Sequence, residues 1–405
     1  MIVDELYKSL SDNQNANKYT GELEPNVDKI LDEIGFFADP HTSWWEVVDA
    51  LFKAEKTHEA ALAQRYCSPL ISDAVAVCRT KAVEDLYGKI VVPTGEPLIT
   101  AFGRMLSAAV REYPILSRIT QFDLGEARVV SLDLDEVAKT GGDAADRQTA
   151  VMYMLARYIL AKSFYLTEEN VEDFPDIYKD YHRQRIVQIR EDPKRLVLDE
   201  FHRTSKAQAV RVQVVVDMRE GRKWKVQVAL LSQSLEDFDS VMVEFATSIF
   251  IMDAGPQQAI DKSVKTFGLS ETAKLALSTR VHGPRPEGAT FLAQFATKLG
   301  MNTQLCTSTL GPIELWAFNT TAEDARIRNA LYKRIGPGET RKLLSMLYPS
   351  GSAAKIVEQR LAKRKEAGEK VDDAAAMSVI EELIEEIMRV YEGTASGAGS
   401  ITLQV

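Results

Sequence analysis

From Lys194 onward the sequence alternates short apolar runs with helix-length stretches, and this order constrains the fold more than any other feature. "KRLVL" is followed by "SKAQAVRVQVVVDMREGRK", in which Ala207, Val210, Val214 and Met218 keep helical spacing. "WKVQVALLSQS", the helical "LEDFDSVMVEFAT" and the strand-like "SIFIMDAG", ending at Gly255–Pro256, come next. Strands separated by helices of this length predict right-handed parallel βαβ units whose sheet is covered on both faces. "GPIELWAF" is expected to be one further strand, and Val129–Leu134 in "GEARVVSLDLDEVA" an earlier one after a glycine turn.

Upstream, "NVDKILDEIGFF", "WWEVVDALFKAEKTHEAALAQRY" and "PLITAFGRMLSAAVREYPIL" place apolar residues three and four apart, which predicts helices. "DPHTS" supplies helix-start residues just before Trp44 and Trp45, which are expected at a buried helix start. "DRQTAVMYMLARYILAKSFYL" reads as a helix buried on most of its face. After the turn "YPSGS" come two charged helices and a tail, "EGTASGAGSITLQV", expected to be flexible. The resulting organisation is 1–126 all-helical, 127–346 an α/β core, and 347–405 C-terminal helices and tail.

Composition excludes some alternatives. With 405 residues, 45% hydrophobic and 27% charged, the chain can bury a large core. A formal net charge of -10 disfavours direct nucleic-acid binding, which calls for a basic surface. The three cysteines, Cys67, Cys78 and Cys306, lack zinc-ligand spacing and fit a reducing compartment. No apolar run is long enough to span a bilayer.

Chemistry is expected at the strand ends, because ligands of parallel sheets sit outside the carboxyl ends of their strands. The first strand ends in Asp199 and Glu200. An Asp there can hold the water shell of Mg²⁺, and a following Glu can orient an attacking water on a nucleotide, the Walker B arrangement. The next strand ends in Ser232, Gln233 and Ser234, where a Gln can sense a γ-phosphate or the water. Between them "MREGRKWK" carries Arg219 and Arg222, candidates for an arginine finger acting on a neighbouring subunit's nucleotide. The plainer readings are an acidic strand-end turn and a solvated basic turn. His202, next to the acids, reads as a surface or packing residue rather than a metal ligand.

"RLVLDEFHRT…MREGRKWKVQVALLSQSLEDF…FATSIFIMDAG", with "FGLSETA" and "LGPIELWAFNTTAEDARIRNALY", resembles the motor domain of the large cytoplasmic ATPases of type IV secretion and conjugation, most of all the Dot/Icm branch of DotO/IcmB- and TraU-like proteins. The resemblance covers most of the chain, the first third by its helical character rather than by motif. It implies an α/β fold with a large helical insertion: an incomplete, mainly parallel RecA-like P-loop NTPase core plus an all-α domain. It also implies ATP and Mg²⁺ as cofactors, hexamers, and docking on secretion subunits at the bacterial inner membrane. The roles it implies are Asp199 toward Mg²⁺ through water, Ser232 toward the nucleotide, and Glu200, Gln233, Arg222 and Arg219 in catalysis. One departure is large. The sequence contains no G-x-x-x-x-G-K-[S/T]; Gly88–Lys89 and "GETRK" near Gly338 both fail the pattern. The chain is therefore expected to be the C-terminal part of a longer ATPase, inactive by itself. A helical docking module without activity and a DNA-translocating motor of the FtsK/HerA kind are the competing readings.

Overall fold

The computed structural model describes residues 19, 25–121, 124, 127–138, 141–172, 174–285, 288–368 and 370–395. The tail 396–405 lies outside them. The chain divides into two compact units, Met1–Asp237 and Phe238–Val405.

The first unit opens with helices Pro25–Glu33, Trp44–Lys53 and Thr57–Gln64 around Val27, Leu31, Trp44, Val47 and Leu51. Ser43 caps the second of these: its hydroxyl accepts from Glu46 N–H while the Glu46 carboxylate accepts from Ser43 N–H. This capping box removes two orphan donors and fixes where the helix starts. Trp44 is buried as expected, whereas Trp45 is exposed. Helix Asp176–Glu191 joins this cluster through Tyr178, whose hydroxyl bonds Asp49 and whose ring meets Phe52.

Helix Asp143–Ala161 forms where expected, but only Thr149, Met152 and Ala161 are buried on it. It leans on helix Gln208–Glu220 through Arg157, whose guanidinium grips Asp217 at 2.5 and 2.7 Å. Tyr165 and Gln213 also donate to Asp217, so this buried carboxylate is fully engaged. Two strands, β1 (Lys194–Leu198) and β2 (Val226–Leu230), pair in parallel with Leu196 opposite Val228. One face, with Leu196 and Val226, packs on Ala161 and Trp224; the other, with Arg195, Val197 and Gln227, is exposed. Val129–Leu134 is not a strand. It forms no ladder, though ion pairs Arg128–Asp192 and Arg203–Asp135 hold its two ends beside the two ends of β1.

In the second unit the expected parallel sheet does not continue. β3 (Ser248–Ile251) pairs antiparallel with β5 (Gly288–Thr297), which also pairs with the short β4 (Pro284–Arg285) and along its whole length with β6 (Gly300–Ser308). The β5–β6 hairpin supplies β3 with a local partner, so no long crossover to a parallel neighbour is needed. Helices Gln257–Phe267 and Glu271–Arg280 contribute Ile260, Ala273 and Leu277 to a core shared with Leu292. "GPIELWAF" is a helix, Pro312–Phe318, not a strand. Proline at its first position needs no N–H donor there, and Glu314 accepts from Gly311 N–H. Its Trp316 is fully buried among helices Ala322–Leu347, Ala354–Glu366 and Asp373–Ala395. Buried Asp324 stitches this bundle, accepting from Ala353 N–H, Ser352 Oγ and Asn319 Nδ2.

Candidate functional site

The parallel register brings the ends of β1 and β2 together. Leu231 N–H donates to Leu198 O at 3.0 Å and Phe201 N–H to Leu231 O at 2.8 Å, so the two chains leave the sheet side by side. Asp199 and Glu200 follow β1 directly. Glu200 has φ of 50°, a left-handed conformation that costs a non-glycine residue energy and turns the chain sharply away from the sheet. Its N–H donates to Asp199 Oδ1 at 2.9 Å.

Gln233 Nε2 donates to Glu200 Oε2 at 3.2 Å. His202 Nδ1 stands 3.1 Å from the same oxygen, within ion-pair distance but outside hydrogen-bond geometry. Thus the two strand-end residues singled out for water activation, thirty-three positions apart, meet. Asp199 is exposed beside them and Glu200 is half-exposed, so both carboxylates reach solvent.

Ser232 is placed otherwise. Its hydroxyl donates to Asp237 Oδ2 at 2.5 Å and closes the loop after β2. Arg211, buried on helix Gln208–Glu220, braces that loop by donating to Asp237 O at 2.8 Å, with its guanidinium over the Phe201 ring. Arg211 therefore ties the loops after both strands, a role that sequence reading missed.

Arg222 is not near Glu200. It lies in the turn Gly221–Trp224 that precedes β2, at the opposite end of the strands. Five residues at about 3.3 Å each separate the two edges by roughly 17 Å. The turn is tightly built: a Cβ on Gly221 would stand 2.5 Å from Val226 O, so only glycine fits. Arg222 is exposed, and Arg219 lies in the last turn of the helix before it.

Tyr153 also belongs to the Glu200 edge. Burial first, then the negative field of Asp199, Asp135 and Glu200, opposed by Arg203, holds its phenol above the usual tyrosine range. Only its apolar helical spacing was visible in sequence. The hollow between the start of helix Asp143–Ala161 and Lys206–Gln208 is lined by Asp143 and Asp146 together with Arg147 and Lys206, so its charge is mixed. Among the described residues no group of three or more His, Cys, Asp or Glu could hold a metal ion, and no helix is long and apolar enough to cross a membrane.

No protein-family model matches the chain. No curated protein matches it in sequence. Among solved structures it is similar to VirB4 of Thermoanaerobacter pseudethanolicus, at 13% identity and a TM-score of 0.39, over 77% of this chain and 69% of that one.

Proposed function

We propose that this chain is the C-terminal motor region of a type IV secretion or conjugation ATPase, of the Dot/Icm kind, coupling ATP hydrolysis to substrate transfer through a secretion channel. The observation that carries it is the contact of Gln233 with Glu200 at the carboxyl end of two parallel strands, beside Asp199. The motif resemblance supplies the family.

The residues fit Mg–ATP in part. Asp199 offers an exposed carboxylate with one oxygen engaged by Glu200 N–H, which suits a hydrated cation. Mg–ATP brings the phosphoanhydride bond and the charge that the metal shields. Glu200 orients a water and accepts its proton's hydrogen bond, and Gln233 fixes the Glu200 carboxylate. The phosphate cradle has no counterpart in the sequence, so in this reading it is contributed by residues outside the chain. Arg222, at the far end of the strands, serves a neighbouring subunit in a hexameric ring, which docks on other secretion subunits at the inner membrane.

Two measurements test this. Titration of the purified chain with Mg–ATP is expected to show no micromolar binding, and the gene sequence before Met1 is expected to encode a G-x-x-x-x-G-K-[S/T] loop. Saturable hydrolysis by the chain itself would show that the phosphate site is misassigned. An upstream sequence without the loop would favour the docking-module reading.

A further inference from the structure

Two side-chain nitrogens flank one oxygen of Glu200. Gln233 Nε2 donates to Oε2 at 3.2 Å, and His202 Nδ1 stands 3.1 Å from the same atom. Nδ1 is buried and has no hydrogen-bond partner, although the His202 side chain as a whole is 42% exposed. Buried polar atoms are nearly always paired, so an orphan aimed at a carboxylate calls for a cause.

The backbone holds His202 in this place. Glu200 is left-handed, with φ of 50°, and the short helical turn Phe201–Thr204 follows at once. Wholly buried Phe201 and Thr204 pin the turn, Thr204 Oγ1 donates to Phe201 O at 2.8 Å, and Phe201 N–H donates to Leu231 O across the strand ends. The other two residues of the turn are thereby aimed. Arg203 pairs with Asp135, and His202 folds back toward Glu200. Backbone strain of this kind persists only where its surroundings enforce it, and it gathers at functional sites.

Electrostatics selects the form of the ring that fits. A neutral imidazole carries its hydrogen on one nitrogen and offers a lone pair on the other. A free histidine side chain prefers the hydrogen on Nε2. In that tautomer the Nδ1 lone pair would face the lone pairs of the carboxylate at 3.1 Å, which is repulsive. With the hydrogen on Nδ1 the same approach is attractive, and a small rotation of the ring completes a charge-assisted hydrogen bond. Catalytic hydrogen bonds are often poorly aligned before a ligand binds and tighten in the complex. Gln233 and His202 then both hold Oε2, and Oε1 of the half-exposed carboxylate is left for water.

We propose that His202 is a positioning residue for Glu200: its Nδ1–H donates to Oε2, and with Gln233 it holds the carboxylate so that Oε1 is the oxygen offered to the attacking water. The contact rests on the geometry alone. The role rests on the reading of Glu200 as the group that orients that water.

Nitrogen NMR of the imidazole rings reads the tautomer in the chain itself, with the His202 signals assigned by their loss in His202→Gln. Neutral His202 is expected to be mainly the Nδ1–H tautomer and to move toward Nε2–H in Glu200→Ala. A wild-type ring that is mainly Nε2–H would overturn the contact whether or not any variant folds. So would a tautomer unchanged by Glu200→Ala. Turnover tests the role, in the protein that joins these residues to a phosphate-binding loop. Asn places a donor where Nδ1 lies, and Gln places one where Nε2 lies. His202→Ala and His202→Gln are expected to lower kcat about ten- to a hundredfold with little change in KM for Mg–ATP, and His202→Asn to restore most of the loss. Equal kcat in the Ala and Asn variants, or a change in KM alone, would overturn the role. No hydrolysis with His202 present would overturn the reading of Glu200 and this role with it, while the tautomer would still decide the contact.

Discussion

The two sheets of this protein differ in what they gather at their edges. The parallel pair β1–β2 is short, covered on one face, and backed by a small cluster of Ala161, Leu196, Trp224 and Val226. The antiparallel sheet is built on the long β5–β6 hairpin, and its unit also holds a helical core in which Trp316, Leu331, Leu344 and Leu383 are almost wholly buried. Parallel strands release their following loops at one edge, so Asp199, Glu200 and Gln233 collect there. An antiparallel hairpin sends consecutive loops to opposite edges and gathers nothing. These polar strand-end residues thus sit where packing is thin, and the larger buried core lies elsewhere.

The largest effect expected from this division concerns Arg222, in the basic turn at the other edge of the parallel pair. In an assembled ATPase, Arg222→Ala is expected to lower turnover by on the order of 10³–10⁵ while leaving nucleotide binding by single subunits intact. Mixed with Glu200→Gln subunits, which are expected to be inactive alone, it should regain part of the activity, because some interfaces then carry one intact half-site from each. No recovery in demonstrably mixed oligomers would return Arg222 to a role within its own subunit. Lys at this position is not an equivalent, since its ammonium cannot hold two phosphate oxygens at once.

Stability should show the opposite distribution. Trp316→Ala in the helical core is expected to cost about 3–5 kcal/mol in denaturant unfolding of that unit. Val197→Ala on the open sheet face, 58% exposed, should stay within about 0.5 kcal/mol. A comparable cost for the two would mean that the open face is covered after all. Between them stands Asp217→Asn. It leaves the Arg157 guanidinium without its carboxylate and is expected to cost about 3 kcal/mol, loosening helix Gln208–Glu220 behind the parallel pair.

The smallest effect is a pH dependence. His182 packs against Phe174 and Tyr181, and burial first, then repulsion from Arg185, lowers its pKa below the ordinary histidine value. The folded form resists a proton that the unfolded chain accepts. Its contribution is therefore complete above about pH 6.5 and is lost as pH falls from there toward the folded-state value. His182→Gln should flatten that part of the stability profile, measured by thermal unfolding between pH 5 and 7.

Much of the candidate site's geometry was legible because it is local. "RLVLDE" and "WKVQVALLSQ" carry their strands and their terminal residues in one stretch each, and a parallel register does the rest. The helix joining them kept its spacing despite many β-branched residues. Tyr153 and Arg211 reach the edge from separate helices through tertiary packing, which no window of sequence displays. "GPIELWAF" misled because an apolar run of that length suits a strand or a buried helix; Pro312 and Glu314, read as helix-start residues, carry the distinction. Val129–Leu134 has strand composition without a hydrogen-bonded partner, and composition alone does not form a ladder.

The central claim is that Asp199 and Glu200 are two chemical groups with separate tasks rather than one acidic turn. The direct measurement is nucleotide binding and turnover of Glu200→Gln and Asp199→Ala, side by side, in the protein that joins these residues to a phosphate-binding loop. Glu200→Gln is expected to keep Mg–ATP binding and lose turnover, whereas Asp199→Ala is expected to weaken Mg-dependent binding itself. The same defect in both, or near-normal turnover in Glu200→Gln, would contradict the account and leave the pair as the polar end of a strand.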